Sequence, residues 1–363
     1  MHSLAECREV DVSVFETGVP LETDLYYEAK GNLVLLCPAA DVDAEMLELI
    51  HRHAGFNDRL FVKNEAYEPL LRRSRRQRAE RTRAEFLTQY GTMHMQSNAL
   101  FQRTIQTGAL SKASTDAVSR EVVTTLEKTG LSPIIEGINR SRGADEYLYA
   151  HSVNVSLLNG LMGKWLGLTP TEVKALADIG LLHDIGKIRI PPQIVNKPGK
   201  LTEGEFRVMK MHAVCSYDIA RAAGGYSEAV LAGIRSHHEK VNGSGYPDNL
   251  ESGEIPLFAR ICAISDLYDA MIAARAYKEA ASPFNVLAEF AKSRFAYLDI
   301  ALVEVFLDRI PYELAGQKVK MSDGSVGLVE YVDRYDFAHP IVSVGGRVFT
   351  TDGDVTCVAL VQE

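Results

Sequence analysis

Five of the ten histidines of this chain fall between positions 151 and 238: His151, His183, His212, His237 and His238. The apolar spacing around each is that of an amphipathic helix, which turns the imidazole toward a core. One histidine on an apolar face is usually an ordinary core residue. Five such rings are costly to bury, because each needs hydrogen-bond partners that an apolar bundle rarely offers. A shared metal site removes this cost, since neutral imidazole nitrogen binds divalent first-row metals.

Two aspartates extend this set of candidate ligands. Asp184 directly follows His183, and Asp266 lies on a later segment with helical spacing. Neighbouring residues of a helix point about 100 degrees apart, so Asp184 can bridge two adjacent metals while His183 binds one of them. The pair His237 and His238 can serve two metals in the same way.

The predicted ligand set also indicates the chemistry. Five neutral imidazoles and two carboxylates leave two divalent ions with a net positive charge, which attracts a phosphodiester anion and lowers the pKa of a bound water. Imidazole and carboxylate without thiolate favour Fe or Mn, with Zn, Ni, Co and Mg as alternatives. The residues therefore predict a metal-dependent phosphodiesterase.

Strong helix-start signals surround the candidate ligands. Thr169-Pro170-Thr171-Glu172 combines a cap, a proline at the first helical position and a glutamate three residues after the cap. The segment from Thr202 to Glu205 repeats the capping box, and Ser282-Pro283 opens another helix similarly. Residues 136–313 are therefore predicted to form an all-helical catalytic domain.

The chain before this domain has a different pattern. Residues 1–68 combine two β-like stretches, Asn32 to Leu36 and Arg59 to Val62, with a helical segment from Asp43 to His53. This mixture predicts a small α+β domain with a regulatory role. Residues 69–135 are predicted to form a helical linker region.

Two further segments complete the organisation. Seven of the twelve residues from Arg72 to Arg83 are arginines, which is typical of a solvated helix or linker, with a binding site for an anionic effector as the alternative. Residues 314–363 carry strand-like stretches at Val326 to Val329 and Ile341 to Val344, separated by turn residues. They predict a small β appendage. The predicted fold class is multidomain and mainly α.

Composition limits the cellular role. The chain has 46% hydrophobic and 24% charged residues, as soluble globular proteins do, and its net charge of −9 argues against DNA binding. No apolar run is long enough for a membrane span, and the start of the chain lacks the pattern of a secretory signal. The five cysteines are scattered, which indicates reduced thiols. We therefore expect a cytoplasmic protein without a membrane partner.

Two motifs carry a resemblance to a known family. Residues 183–187 read HDIGK and residues 237–247 read HHEKVNGSGYP, and this ordered pair closely resembles the HD-GYP family of cyclic di-GMP phosphodiesterases, within the HD-domain superfamily. The similarity extends through residues 196–202, 260–266 and 275–278. It covers about half of the chain, and it implies an HD-type hydrolase fold for the helical domain.

The resemblance implies roles for the candidate residues. It makes metal ligands of His183, Asp184, His212, His237, His238 and Asp266, with His151 among them or beside them. Asp184 and Lys187 are the residues expected to take part in catalysis. Lys187 would hold the reacting phosphate, although a surface lysine near a helix end is the alternative.

Substrate contacts are also implied. Asp269, Arg275 and Lys278 match positions that contact the dinucleotide in this family, whereas taken alone they would be ordinary surface charges. Arg275 could bind a phosphate in a bidentate manner. The loop Gly245-Tyr246-Pro247 would lie beside the mouth of the active site, where Tyr246 contacts either a guanine or a protein partner.

The sequence departs from the family pattern at two places. Asn242 stands where the family usually has aspartate, which removes one charge near the loop. Some members support a third metal with a glutamate four residues before the position of His151, but here that residue is Tyr147, with Glu146 adjacent. We therefore expect two metals, and cleavage that largely stops at linear pGpG before GMP.

The predicted function is hydrolysis of cyclic di-GMP to pGpG at a two-metal site, which lowers the level of a bacterial second messenger. Two alternatives stay open. The first is a catalytically weak cyclic-dinucleotide sensor or protein-docking module, and the second is an HD phosphohydrolase acting on cyclic GMP-AMP or another nucleotide. A homodimer also stays open.

Overall fold

The computed structural model describes residues 6–16, 20–29, 31–55, 58–140, 147–276, 282–352 and 355–361. The chain divides into two compact units, Met1–Glu85 and Phe86–Glu363. The predicted mainly α, multidomain fold class is confirmed. The finer domain boundaries at residues 68, 135 and 313 stay predictions.

The first unit has small antiparallel sheets and a helix. Its strands are β1 (Cys7–Val10), β2 (Pro20–Leu21), β3 (Leu25–Ala29), β4 (Asn32–Cys37), β5 (Ala40–Asp41) and β6 (Leu60–Lys63), and its helix is α1 (Ala44–Gly55). One sheet has the order β1-β6-β3-β4, and β2 pairs with β5. A 3-10 turn covers Val12–Val14. The two predicted strands and the predicted helix are confirmed as β4, β6 and α1.

Helix α2 runs from Asn64 to Thr107 and contains the arginine run. The second unit then continues with α3 (Lys112–Lys128), α4 (Leu131–Arg140), α5 (Tyr147–Trp165), α6 (Pro170–Leu182), α7 (Pro192–Val195), α8 (Glu203–Ala223), α9 (Glu228–Ser236), α10 (Leu257–Ala276), α11 (Pro283–Tyr297) and α12 (Ile300–Arg309). Short 3-10 helices cover Ile185–Arg189 and Ile310–Leu314. The helical structure predicted for residues 69–135 is confirmed.

The predicted helix starts are confirmed, with one difference. The capping boxes at Thr169 and Thr202 form in full, each with a glutamate carboxylate that accepts a hydrogen bond from the backbone N–H of the cap residue. Helix α11 begins at Pro283 as predicted, but the side chain of Ser282 makes no capping hydrogen bond there. The fixed φ of the proline therefore contributes to this start without help from the hydroxyl.

Close packing of α5 against α6 positions the candidate ligands. At Gly180, an added Cβ would lie 2.5 Å from the Cα of Ser156, so only glycine allows this approach. Helix α3 is tied to α6 where Lys174 forms ion pairs with Asp116 at 2.6 Å and with Asp178 at 2.9 Å. Helix α6, which leads into His183, is therefore packed against α5 and tied to α3.

The chain ends in an antiparallel sheet of β7 (Lys318–Met321), β8 (Val326–Asp333), β9 (Asp336–Val344), β10 (Arg347–Thr350) and β11 (Cys357–Leu360). Its order is β10-β9-β8-β7-β11. Met321, Val329 and Val342 belong to the same buried cluster as the helical residues Phe290 and Phe306. The predicted β appendage thus shares the core of the second unit. Among the described helices, none combines the length and apolar character needed to cross a lipid bilayer.

Candidate metal centre

The predicted metal ligands come from five helices and lie together. Helix α5 carries His151, α8 carries His212 and α10 carries Asp266, whereas His183 and His237 are the C-cap residues that directly follow α6 and α9. Asp184 already has non-helical backbone angles, with φ −101° and ψ 0°. We expected the pairs His183-Asp184 and His237-His238 to diverge within a helix. This expectation was wrong, because each pair lies at the end of a helix.

Three groups of side chains present ligand atoms within 4.8 Å of one another, and one of them, His183, Asp184 and His237, shares a histidine with each of the other two. The other two are His151, His183 and Asp266, here called the first triad, and His212, His237 and His238, here called the second triad. The first triad draws its members from α5, the end of α6 and α10, and the second triad draws its members from α8 and the end of α9. The ligand atoms of each triad lie close enough together for one metal ion to bind all three.

Asp184 lies between the two triads. Its Oδ2 is 3.5 Å from the Nε2 of His151 and 3.5 Å from that of His183, in the first triad. Its Oδ1 is 3.3 Å from the Nε2 of His212, in the second triad. The two oxygens of one carboxylate thus face two different ligand groups, which is the arrangement of a bridging ligand.

Hydrogen bonds fix the tautomers of the histidines. The Nδ1 of His183, His212 and His237 each lies near the carbonyl oxygen three residues earlier, at 2.8, 2.7 and 2.7 Å respectively. A carbonyl oxygen only accepts, so each Nδ1 carries the proton. The Nε2 of each neutral ring is then a bare acceptor, free to bind a metal.

With these tautomers, the bare nitrogen atoms of several rings converge, as the ligands of a metal ion do. The Nε2 atoms of His151 and His183 lie 3.2 Å apart, and those of His212 and His237 lie 3.3 Å apart. Lone pairs that converge at such distances repel unless a cation or a proton lies between them. Within the described residues, the buried Oδ1 of Asp184 also makes no hydrogen bond. Divalent ions would satisfy all of these atoms, so the donor set fits them.

The protonation state of His151 differs from that of the other four histidines of the two triads. Burial lowers the pKa of His183, His212 and His237, and it lowers that of His238 to about 3, so these rings are neutral at pH 7. Burial also opposes protonation of His151, but hydrogen bonds to Asp266 and Asp269 raise its pKa to about 10. Metal binding at this ring has to displace a proton.

Lys187 lies at the edge of the cluster. Its Nζ is 2.5 Å from Oδ2 of Asp184, and its side chain is 24% exposed. Burial opposes the charge on Lys187, but the carboxylate of Asp184 outweighs it and raises the pKa. Burial likewise opposes ionisation of Asp184, whose pKa is nevertheless held well below its usual value by Lys187 and the histidines. This pair remains charged at neutral pH.

The turn that holds Asp184 is locked against α8. Gly186 donates its N–H to Oγ of Ser216 at 2.8 Å, and this hydroxyl donates to the carbonyl of His183 at 2.6 Å. A Cβ on Gly186 would lie 2.1 Å from the backbone oxygen of His212. These contacts fix two triads relative to each other, and sequence analysis assigned no such role to Gly186 or Ser216.

The loop after α9 places Tyr246 against the second triad. The Tyr246 ring centroid lies 4.7 Å from that of His238. Asn242 Oδ1 accepts hydrogen bonds from the N–H and hydroxyl of Ser244, at 3.1 and 2.7 Å. An aspartate oxygen would make the same bonds, so the departure at Asn242 preserves the turn.

Glu239 anchors this loop from inside. Its carboxylate is 3% exposed, and its oxygens accept from the backbone N–H groups of Asp248 at 2.7 Å and Leu250 at 3.0 Å. A Cβ on Gly245 would lie 2.4 Å from the Cα of Glu239, so the loop lies directly on its anchor. Sequence analysis did not identify this residue, although it adjoins the His237-His238 pair.

We expect Glu239→Gln to loosen the Tyr246 loop, because the new amide group must face a backbone N–H that it cannot accept from. The cost of one unsatisfied buried donor is about 1–3 kcal/mol of unfolding free energy. Glu254→Gln is the matched control, since Glu254 is exposed and accepts a single backbone N–H, at 2.9 Å. Urea unfolding of both variants checks the prediction. Equal stabilities would show that the buried carboxylate is not an anchor.

Of the charged residues predicted to contact the substrate, only Asp269 has a described side chain. Asp269 is 3% exposed and lies behind His151, where its Oδ2 is 2.7 Å from the histidine Nδ1. This placement favours support of His151 over direct contact with a dinucleotide. Arg275 belongs to α10, but its side chain is not among those described, and Lys278 lies outside the described residues. The same applies to the Tyr147 side chain and to Glu146, so the absence of a third metal stays a prediction.

Part of this chain is similar in sequence to known proteins. The family model described as HD domain matches residues 142–302. The cyclic di-GMP phosphodiesterase response regulator RpfG of Xanthomonas campestris is 36% identical over 219 residues, which cover 59% of this chain and 55% of the relative. The 3'3'-cGAMP-specific phosphodiesterase 2 of Vibrio cholerae is 32% identical over 179 residues, covering 49% and 33%. The matched regions thus span about half or less of these relatives.

One solved structure extends the likeness in fold. A HDG"Y"P protein from Bdellovibrio bacteriovorus superposes with a TM-score of 0.51 over 84% of this chain and 99% of that chain, at 16% sequence identity. The likeness at this identity concerns the fold alone. The predicted HD-type fold is confirmed.

Proposed function

Because residues 142–302 of this chain belong to the HD domain family, we propose that the protein is a metal-dependent phosphodiesterase that hydrolyses cyclic di-GMP. The observation that carries the proposal is Asp184, whose two oxygens face the first and second triads at 3.5 and 3.3 Å. Relatives named as cyclic di-GMP phosphodiesterases support the choice of substrate.

The seven ligands would hold two divalent ions. His151, His183 and Asp266 would bind one ion, His212, His237 and His238 would bind the other, and Asp184 would bridge them. When bound, the ions supply a nucleophile from water and stabilise charge on the phosphoryl oxygens. Imidazole and carboxylate donors favour Fe or Mn.

Lys187 completes the site from its edge. Its ammonium is held 2.5 Å from Asp184 and its side chain is partly exposed, so it can orient a phosphate oxygen and counter charge that develops in the transition state. Tyr246 lies beside the second triad, where its ring can contact a guanine. Arg275 and Lys278 are proposed to bind the phosphates, and linear pGpG is the proposed product.

The test uses the full chain purified without oxygen and loaded with Fe or Mn. Elemental analysis should find two ions per chain, and chromatography should show conversion of cyclic di-GMP to pGpG. Cyclic GMP-AMP, tested in parallel, addresses the alternative favoured by the Vibrio cholerae relative. Two bound ions with tight dinucleotide binding and no turnover of either substrate would refute hydrolysis and favour a sensor.

We expect Lys187→Met to lower kcat for cyclic di-GMP by about a hundredfold, which is the usual cost of losing one group that stabilises the transition state. Metal content should be unchanged, because Lys187 contacts a ligand and is not one itself. Lys112→Met is the matched control, since Lys112 is 25% exposed and also lies 2.5 Å from an aspartate, Asp116, outside the cluster. If both variants keep wild-type kcat, Lys187 has no role in the reaction.

A further inference from the structure

A chain of buried hydrogen bonds runs from helix α2 to the first triad. The Tyr90 hydroxyl donates to Oδ1 of Asn154, and Nδ2 of Asn154 donates to Oδ1 of Asp269 at 2.8 Å. The other oxygen of Asp269 lies 2.7 Å from Nδ1 of His151. All four side chains are nearly inaccessible, with exposures of 7, 2, 3 and 3% in that order.

His151 differs from the other histidines in what fixes it. His183, His212 and His237 each use a backbone carbonyl of their own helical turn, whose position the helix already sets. His151 instead uses a carboxylate side chain from α10, which can rotate. Its orientation therefore depends on whatever holds Asp269.

We propose that Tyr90, outside the matched HD domain, is a positioning residue that fixes metal ligand His151 through Asn154 and Asp269. This inference rests on the proposed metal site. The amide of Asn154 can flip by 180 degrees, and a flipped amide would point its oxygen at the Asp269 carboxylate. The Asp269 carboxylate only accepts, so it favours the orientation in which the amide nitrogen faces it, and the Tyr90 hydroxyl holds that orientation by donating to the amide oxygen.

Tyr90 is itself held in place by rings on its own helix. Phe86, one turn earlier, stacks with it at a centroid distance of 5.3 Å, and His94, one turn later, lies 4.1 Å away. Phe86 is fully buried, and a Cβ on Gly137 would lie 2.4 Å from its ring, so this position has little freedom. The hydroxyl is therefore presented to Asn154 from a rigid support.

Tyr90→Phe tests the inference, because it removes the hydroxyl and keeps the ring. Isothermal titration of the chelator-treated full chain with Mn²⁺ should show about tenfold weaker binding of one equivalent. Affinity for the second equivalent should be unchanged, since the second triad does not contact this hydrogen-bond chain. Tyr149→Phe is the matched control: it also removes a hydroxyl that joins α5 to α2, through Gln102 at 2.7 Å.

A double variant separates positioning from general stability. If Tyr90 acts through Asn154, then Tyr90→Phe combined with Asn154→Ala should bind Mn²⁺ no more weakly than Asn154→Ala alone. Additive losses, equal losses at both equivalents, or wild-type affinity in Tyr90→Phe would each overturn the proposal. A wild-type protein that binds no Mn²⁺, Fe²⁺ or Zn²⁺ would instead refute the metal site on which it rests.

Discussion

The Asp184→Asn protein is expected to lose at least about a thousandfold in kcat/KM for cyclic di-GMP and about a hundredfold or more in metal affinity. The structure gives the reason. Both oxygens of Asp184 face histidine Nε2 atoms, at 3.3 and 3.5 Å. An asparagine amide can present an oxygen to only one triad, and its NH₂ group would then point at the metal position of the other.

Metal content and activity must be measured together for this variant. Elemental analysis after dialysis gives the number of ions retained, and near-ultraviolet circular dichroism checks that the helices still pack. Asp178→Asn is the matched control, because Asp178 is also buried on α6 but pairs with Lys174, at 2.9 Å, outside the cluster. That control is expected to lose stability and keep both ions. If Asp184→Asn retains two ions with wild-type affinity, the bridging role is refuted.

The sequence predicts the helices of this site well, because the signals that define them are local. Thr169 and Thr202 each show a complete capping box within four residues, and the structure forms both. The convergence of the ligands was also predictable, since each histidine follows the apolar spacing of its own segment. The two motifs at 183–187 and 237–247 then gave the resemblance to the HD-GYP family.

The sequence does not show how deeply each side chain is buried or which neighbours hold it in place. Asp266 and Asp269 are one turn apart on α10 and share a face, so periodicity places both near the site. Only the packing of α5 against α10 shows that Asp266 faces the cluster while Asp269 lies behind His151. Tyr90 contacts Asn154 across a sequence separation of 64 residues, and no local pattern announces such a contact.

The helix ends are a second feature that local reasoning missed. His183 and His237 terminate their helices, and three of the rings bond to backbone carbonyls at the last turn or within the helix. A helix C-terminus carries partial negative charge. The ends of α6 and α9 therefore add to the attraction that the two aspartates exert on cations. The apolar spacing of the sequence indicated only that the histidines are buried.

Gly186→Ala is expected to destabilise the protein by about 3 kcal/mol of unfolding free energy and to remove metal from the site. The added Cβ would lie 2.1 Å from the backbone oxygen of His212 and 2.4 Å from the backbone nitrogen of Ser216. Both obstacles are backbone atoms of α8, so no side-chain rotation relieves the overlap. Either α8 or the turn that carries Asp184 must move, which separates His212 from the bridging carboxylate.

Gly204→Ala, on α8, provides the control for this substitution. A Cβ there would meet nothing closer than the Nη2 of Arg207, at 3.9 Å, so the variant should be unchanged or stabilised by less than about 1 kcal/mol. Urea unfolding and elemental analysis of both variants distinguish a local clash from a general effect of alanine. A Gly186→Ala protein with wild-type stability and two bound ions would mean that α8 can withdraw without disturbing the ligands. The close approach of α8 to the turn would then be dispensable for the metal centre.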